Sequence, residues 1–263
     1  MSRGGKGGGN VPEPSGAVGE DRHAPGPTAA IVVIGDEVLS GRVEDINSLY
    51  LSRGLLELGV AVRRIVVVAD VVADIAAEVR ACADRFTHVF TTGGVGPTHD
   101  DVSLKGVAAA FGCRQVRSPQ AERIIRDFYG AAMNDSALRM ADIPQGAELV
   151  MPEGMRFPVV RVENVWVFPG SPHLLRAKFD ALRDRFASTP FSNAQLAVNC
   201  GEPEIAAFLE QVQGEFPRVA IGSYPQEPGA PVRLILTLRG KDGGMVARVL
   251  EQLRSGLSGH LVE

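Results

Sequence analysis

The chain has 263 residues, 45% of them hydrophobic and 22% charged, with a formal net charge of −4. That composition is globular, and the length allows one good core and a smaller second one. No apolar run approaches the ~20 residues that span a bilayer, and the acidic balance argues against a broad nucleic-acid footprint, which needs a concentrated basic surface.

Residues 1 to about 28 are rich in Gly and Pro and lack the apolar stretch of a signal peptide, so they read as a disordered tail outside the fold. From Ala29 to Ile34 runs an apolar, β-branched stretch ending at Gly35, the pattern of a central strand buried on both faces. A polar loop follows, then a helix carrying Ile46, Leu49, Tyr50, Leu55, Leu56 and Leu58 to a stop at Gly59. Val60 to Val68 predicts a second strand, Val72 to Phe86 a helix with Ile75, Val79 and Cys82 inward, and His88 to Thr92 a third strand. This alternation implies right-handed crossovers and a doubly wound, mostly parallel α/β sheet. After the Gly-rich segment 93–98, helices are expected from about Asp100 to Phe111 and from Pro119 to Tyr129. Val159 to Phe168, broken at Glu163-Asn164, predicts a hairpin, and Ser171 with Pro172 starts a long helix. Beyond about Pro190 the order becomes strand, helix, strand, strand, helix (196–199, 203–216, 218–224, 232–238, 244–257). The expected domains are therefore an α/β domain over 29–190 and a small α+β subdomain over 191–263.

Ligands of open α/β sheets bind beyond the carboxyl ends of the strands, so the loops after these strands are where chemistry is sought. The richest is Thr91-Thr92-Gly93-Gly94-Val95-Gly96-Pro97-Thr98-His99-Asp100-Asp101. Its glycines allow close backbone approach, and a helix start beyond them favours an anion. The spacing matches neither a Walker loop nor Gly-x-Gly-x-x-Gly. Gly35-Asp36-Glu37 brings two further carboxylates to the same edge. Four acids, Asp36, Glu37, Asp100 and Asp101, would repel a phosphate unless a divalent cation bridged them, so a metal-assisted site is expected, with Mg, Mn or Co as the cofactor. Lys105 and Arg42 are candidate phosphate partners, Asp45 and Asn47 either cap a helix or touch ligand, and Pro169, Gly170 and Ser171 offer a second helix N-terminus. The five histidines show no metal-ligand spacing, and only His99 adjoins the site. The cysteines at 82, 113 and 200 include no Cys-x-x-Cys pair, which suits reduced thiols in a cytoplasmic protein. Ser171 and Ser223 lack a nucleophile elbow, which disfavours a serine hydrolase.

Gly35-Asp36-Glu37-Val38-Leu39-Ser40-Gly41, Asp45-Ile46-Asn47-Ser48 and Thr91 through Val102 together resemble the signature of the molybdopterin-binding (MoaB/Mog-like) domain. Within that superfamily the chain is most similar to the amino-terminal domain of the competence/damage-inducible protein A (CinA) family and to the molybdopterin-binding-like domain of FAD synthases. Asn134, Met140 to Pro144 and Glu163 to Gly170 extend the resemblance over about 29–186. It implies a pocket for pterin or nucleotide phosphates involving Gly35, Asn47, Thr92, Gly93, Gly94, Gly96, Thr98 and the Pro169–Ser171 loop. It also places Asp70 and Asp101 where adenylylating members keep functional acids; with Lys105 these are the expected catalytic residues. Ile46 and Ser103 stand where Thr is usual, and Gly170-Ser171-Pro172-His173 replaces the commoner Gly-Val-Pro run.

Three functions follow as expectations. The first is metal-dependent hydrolysis of a dinucleotide pyrophosphate of the ADP-ribose or FAD type; the second is adenylylation of molybdopterin, against which the extra carboxyl-terminal segment weighs; the third is ligand binding without catalysis. The expected partners are a small phosphorylated nucleotide or pterin, with no nucleic acid or membrane, in a homo-oligomer. Neither an amidohydrolase domain nor a synthase domain is read in the sequence, so the chain is expected to act alone or with a separate partner.

Overall fold

The computed structural model describes residues 26–262, and the proposed amino-terminal tail lies almost wholly outside them. The described chain divides into two compact units, residues 26–192 with 241–243, and residues 193–240 with 244–262.

The first unit is built on strand β1 (Thr28–Ile34), in which every residue after Thr28 is buried. Alternate side chains of a strand point to opposite faces. Ala29, Ile31 and Val33 enter one core with Leu51, Leu55, Phe90, Phe168 and Phe179, and Ala30, Val32 and Ile34 enter another with Ile75, Val79, Cys82 and Val107. The continuous apolar run is thus explained by helices on both faces of the sheet. A short helix α1 (Asp36–Leu39) follows, then α2 (Asn47–Glu57), β2 (Ala61–Val68), α3 (Val72–Ala83), β3 (His88–Thr92) and α4 (Ser103–Ala110). Next come β4 (Gln115–Arg117), α5 (Pro119–Tyr129), α6 (Asp135–Arg139), β5 (Asp142–Pro144), β6 (Glu148–Val150), β7 (Val159–Val162), β8 (Val165–Phe168) and α7 (Pro172–Leu182).

The main sheet has the order β2-β1-β3-β8-β7-β6. β1 pairs in parallel with β2 and β3, and β3 with β8; β7 and β6 complete the sheet antiparallel. Chain order reverses between β1 and β3, and such a switch point opens a crevice at the carboxyl ends of the strands. The four loops singled out from sequence therefore share one edge. β4 and β5 form a separate antiparallel pair.

Three expectations are corrected. Thr28 belongs to β1, opposite Ala61, rather than to the tail. Gly35-Asp36-Glu37 leads directly into α1 rather than a loop. α4 starts at Ser103, not Asp100, because residues 97–102 close on themselves before the helix begins.

The second unit contains β9 (Ser192–Val198), α8 (Glu202–Glu215), β10 (Ala220–Pro225), β11 (Leu234–Gly240) and α9 (Gly243–Gly256). Its sheet has the order β10-β11-β9, with β10 and β11 antiparallel. Leu234, Leu236 and Leu238, on one face of β11, pack with Ile205 and Val212 of α8 and Val246, Val249 and Leu253 of α9.

Candidate functional site

The glycine turn after β3 is held from three sides. The Gly93 amide donates to the Phe168 carbonyl at 3.3 Å, and the Ser103 amide to the Gly94 carbonyl at 3.0 Å. The fully buried Ser103 hydroxyl donates to the Gly93 carbonyl at 2.7 Å. Gly93 and Gly94 have φ of 107° and 58°, the left-handed region that glycine tolerates. A Cβ on Gly93 would lie 2.0 Å from the Ile34 carbonyl oxygen, and one on Gly94 2.5 Å from Ser103 Oγ. These two glycines are therefore required by space as well as by torsion.

Asn47 joins the neighbouring loops. Its Nδ2 donates to Thr92 Oγ1 at 3.1 Å and to the Gly170 carbonyl at 2.8 Å, and Thr92 Oγ1 donates to the Pro169 carbonyl at 3.1 Å. Asn47 Oδ1 is buried without a hydrogen-bond partner. Asp45 accepts from the Asn47 and Ser48 amides, so capping α2 accounts for it. Arg42 donates to Ser40 Oγ at 3.1 Å.

The expected acids separate into two groups, one on each flank of the turn. On the β1/β2 flank, the Asp36 amide donates to Asp70 Oδ2 at 2.9 Å and the Asp70 amide to Asp36 Oδ1 at 3.4 Å. A Cβ on Gly94 would stand 3.5 Å from Asp70 Oδ1. Burial, with the charges of Asp36, Glu37 and Asp100, raises the Asp70 carboxyl above its ordinary value, against a lowering by the Asp36 amide. On the other flank Asp101 turns back into the loop. Its carboxylate accepts from the Gly96 amide and the Thr98 amide, each at 2.7 Å, and from the Thr98 hydroxyl. The amides read from sequence as a phosphate cradle are thus partly engaged by a carboxylate of the chain itself. Asp100 accepts from Thr98 Oγ1 at 2.5 Å, which holds its carboxyl below the ordinary value; it is not a helix cap.

Carboxylate oxygens are the donor type that suits Mg²⁺. The expected ligands Asp36, Glu37, Asp100 and Asp101 nevertheless do not form a set: among the described residues no group of three or more His, Cys, Asp or Glu is placed to hold a metal ion.

Gly94, Gly96, Thr98, Asp101 and Lys105, five of the sequence candidates, line a cleft of about 230 Å³ together with His99, Gln115, Arg139 and Asp142. Gly35, Asp36, Glu37, Asn47, Thr92, Gly93, Gly170 and Ser171 frame the turn without lining this cleft, and Pro169 lines a larger cavity beside it. Arg139 was not singled out from sequence. It ends α6, and its guanidinium donates to the Pro97 carbonyl at 2.9 Å and to Ser136 Oγ at 3.1 Å. Its place directly before Met140-Ala141-Asp142 is the one signal that could have marked it.

A doubly wound sheet whose strand β3 ends in a glycine turn beside a cleft lined by Lys105 and Arg139 defines the class, an α/β domain with its candidate site at the carboxyl edge of the sheet. A family model described as "Probable molybdopterin binding domain" matches residues 30–187, and the chain belongs to that family. A second model, "FAD synthase, middle domain", matches residues 190–263. A protein of Archaeoglobus fulgidus is 32% identical over 87% of this chain and 97% of its own length. A "Probable FAD synthase" of Caenorhabditis elegans is 32% identical over 89% of this chain but only 51% of its own length, so the chain spans about half of that relative. Among solved structures, the protein CinA from Thermoplasma acidophilum, described as of unknown function, matches with a TM-score of 0.57 and 28% identity over 61% of this chain and 98% of its own. The resemblance drawn from the motifs, to molybdopterin-binding domains, CinA and FAD synthases, is shown. Among the described residues no helix is long and apolar enough to cross a membrane.

Proposed function

We propose that the chain binds a phosphorylated nucleotide or pterin, with a phosphate in the cleft between Lys105 and Arg139. The carrying observation is the charge pattern there. Asp142 is paired with Arg117, Nε to Oδ1 at 2.6 Å, and Asp101 is answered by two amides and a hydroxyl. Arg139 and Lys105 have no carboxylate ion-pair partner among the described residues, so both cations are free to turn towards an anion in the cleft they share with Asp101 and Asp142. On this reading the two cations, rather than a bridging metal, hold the anion. Hydrogen bonds to charged groups contribute about 1.5–3 kcal/mol each, so Arg139→Ala is expected to weaken AMP, ADP-ribose or FAD binding roughly 10- to 100-fold by calorimetry, with or without EDTA. Unchanged affinity in Arg139→Ala would refute the placement, and binding that collapses in EDTA would restore the metal-bridged reading.

A second reading, hydrolysis of the ADP-ribose or FAD pyrophosphate, is favoured by the Asp36–Asp70 pair beside Gly94 on the other flank of the same turn. Water would attack one phosphorus, Asp70 would take the water proton, and the bridging P–O bond would break to release AMP. AMP release, assayed without metal and with Mg²⁺, Mn²⁺ or Co²⁺, tests it. If no condition yields AMP, ligand binding without catalysis stands instead.

A further inference from the structure

Beside the phosphate cleft lies a second cavity of about 520 Å³, within the ~300–1,000 Å³ of small-molecule sites. Its walls come mainly from α5, the 154–158 loop and α7, with Ile124, Ile125, Phe157 and Leu174 among them, and no Asp or Glu lines it. Against that apolar lining stand two cations. Lys178 of α7 is only 8% exposed, and its Nζ donates to the Pro158 carbonyl at 2.6 Å, its one hydrogen bond among the described residues. Arg156 is exposed and holds its guanidinium 5.9 Å from the centroid of the exposed Phe128 ring, which puts it at the rim. Neither has a carboxylate ion-pair partner among the described residues. Burial lowers the Lys178 pKa to about 8, so near pH 7 the group is still mainly an ammonium. An ammonium carries three donors, of which the Pro158 carbonyl takes one, and buried charges are rarely left without a counter-charge.

We propose that this cavity binds a small apolar monocarboxylate, an aliphatic or aryl acid, whose carboxylate accepts from Lys178 Nζ while its hydrocarbon body lies against the side chains of α5 and α7. The lining selects on charge and polarity together. A neutral apolar molecule leaves the ammonium unanswered, and a phosphate brings more charge and more oxygens than one amine can satisfy into apolar surroundings. A single carboxylate supplies one opposite charge, and the apolar walls reward the rest of the molecule by removing it from water. The site is distinct from the proposed phosphate cleft: the two share only Val95, Leu104 and Met140 as lining, and the cleft carries Asp101 and Asp142 where this cavity has no acid.

Calorimetry with two matched pairs, octanoate against octanol and phenylacetate against phenylethanol, reads the charge apart from the apolar body. At least one acid is expected to bind the full chain, about 10-fold or more tighter than its alcohol. Lys178→Met, which keeps length and removes the cation, is expected to abolish that preference by weakening the acid while changing the alcohol little, a split that general damage to the fold does not produce. Leu174→Trp, which fills the cavity from a half-exposed position, is expected to weaken acid and alcohol alike. The proposal is overturned if neither acid binds, if acid and alcohol bind the wild type equally, or if the preference survives Lys178→Met. Acid binding lost in Arg139→Ala but kept in Lys178→Met would place the carboxylate in the phosphate cleft and overturn it as well.

Discussion

Lys178 also permits a stability experiment whose sign is fixed by its burial. A fall in pKa from 10.5 to about 8, at ~1.4 kcal/mol per unit, makes charge burial here cost on the order of 3 kcal/mol. Below pH 8 the lysine is protonated in both the folded and unfolded chain, and the cost is fully present. Between pH 8 and 10.5 the unfolded chain binds more protons, so folding stability rises with pH, and above 10.5 the cost is gone. Lys178→Met removes this titration but leaves the Pro158 carbonyl without its donor, a loss of about 1–3 kcal/mol that does not depend on pH. Near pH 7 the variant is therefore expected to match or slightly exceed the wild type, whereas by pH 10 the wild type gains roughly 2–3 kcal/mol on it. Urea denaturation from pH 7 to 10 measures this. Trp166, the single tryptophan and buried in the same unit, reports it by fluorescence. A stability difference that stays flat across the window would refute the assignment of a burial-depressed amine.

Asp70→Asn keeps an acceptor for the Asp36 amide and removes the disfavoured charge. It should melt higher near neutral pH, and the gap should close as pH falls through the raised folded pKa towards 3.8, where the native carboxyl is protonated; a gap that widens in acid would reverse the sign. Gly94→Ala places a methyl at φ 58° and 2.5 Å from the buried Ser103 oxygen, so a loss of about 1–3 kcal/mol is expected in denaturant titration, together with loss of phosphate binding. Asp101→Asn keeps an oxygen for one loop amide and removes a negative charge from the cleft, so calorimetry should show inorganic phosphate bound several-fold more tightly. Weaker phosphate binding would mean that Asp101 holds the ligand through a cation.

The doubly wound sheet was legible because β1 and β8 are buried on both faces and their sequences are correspondingly apolar runs, and because β3, with its buried Val89 and Phe90, alternates with helices in the same rhythm. Strands β4, β5 and β6 went unseen because three residues are too few to show a period of two. α4 was placed early because Asp100 and Asp101 resemble a helix start, whereas Asp101 reaches back five residues to Gly96 and closes the turn first. The edge and the glycine turn were readable from sequence; the sign of the field around them was not. Lys105 was marked by its place about one turn after Asp101, whereas Arg139 and Lys178 look like ordinary helical cations; what sets them apart is, for Arg139, the pairing of the nearby Asp142 with Arg117 and, for Lys178, burial beside α5 and the 154–158 loop.

The two flanks of the turn differ in electrostatic character, and this orients any ligand that reaches both. Lys105 and Arg139 favour a phosphate on the α4/α6 side. Burial, and after it the charges of Asp36, Glu37 and Asp100, disfavours the charged form of Asp70, so the β1/β2 side favours hydrogen-bond donors over a second anion. A sugar hydroxyl or a water molecule meets that requirement where a phosphate does not. The same asymmetry separates binding from catalysis. Removing a cation should lower affinity for every phosphorylated ligand alike, whereas removing Asp70 should leave affinity largely intact and change turnover alone.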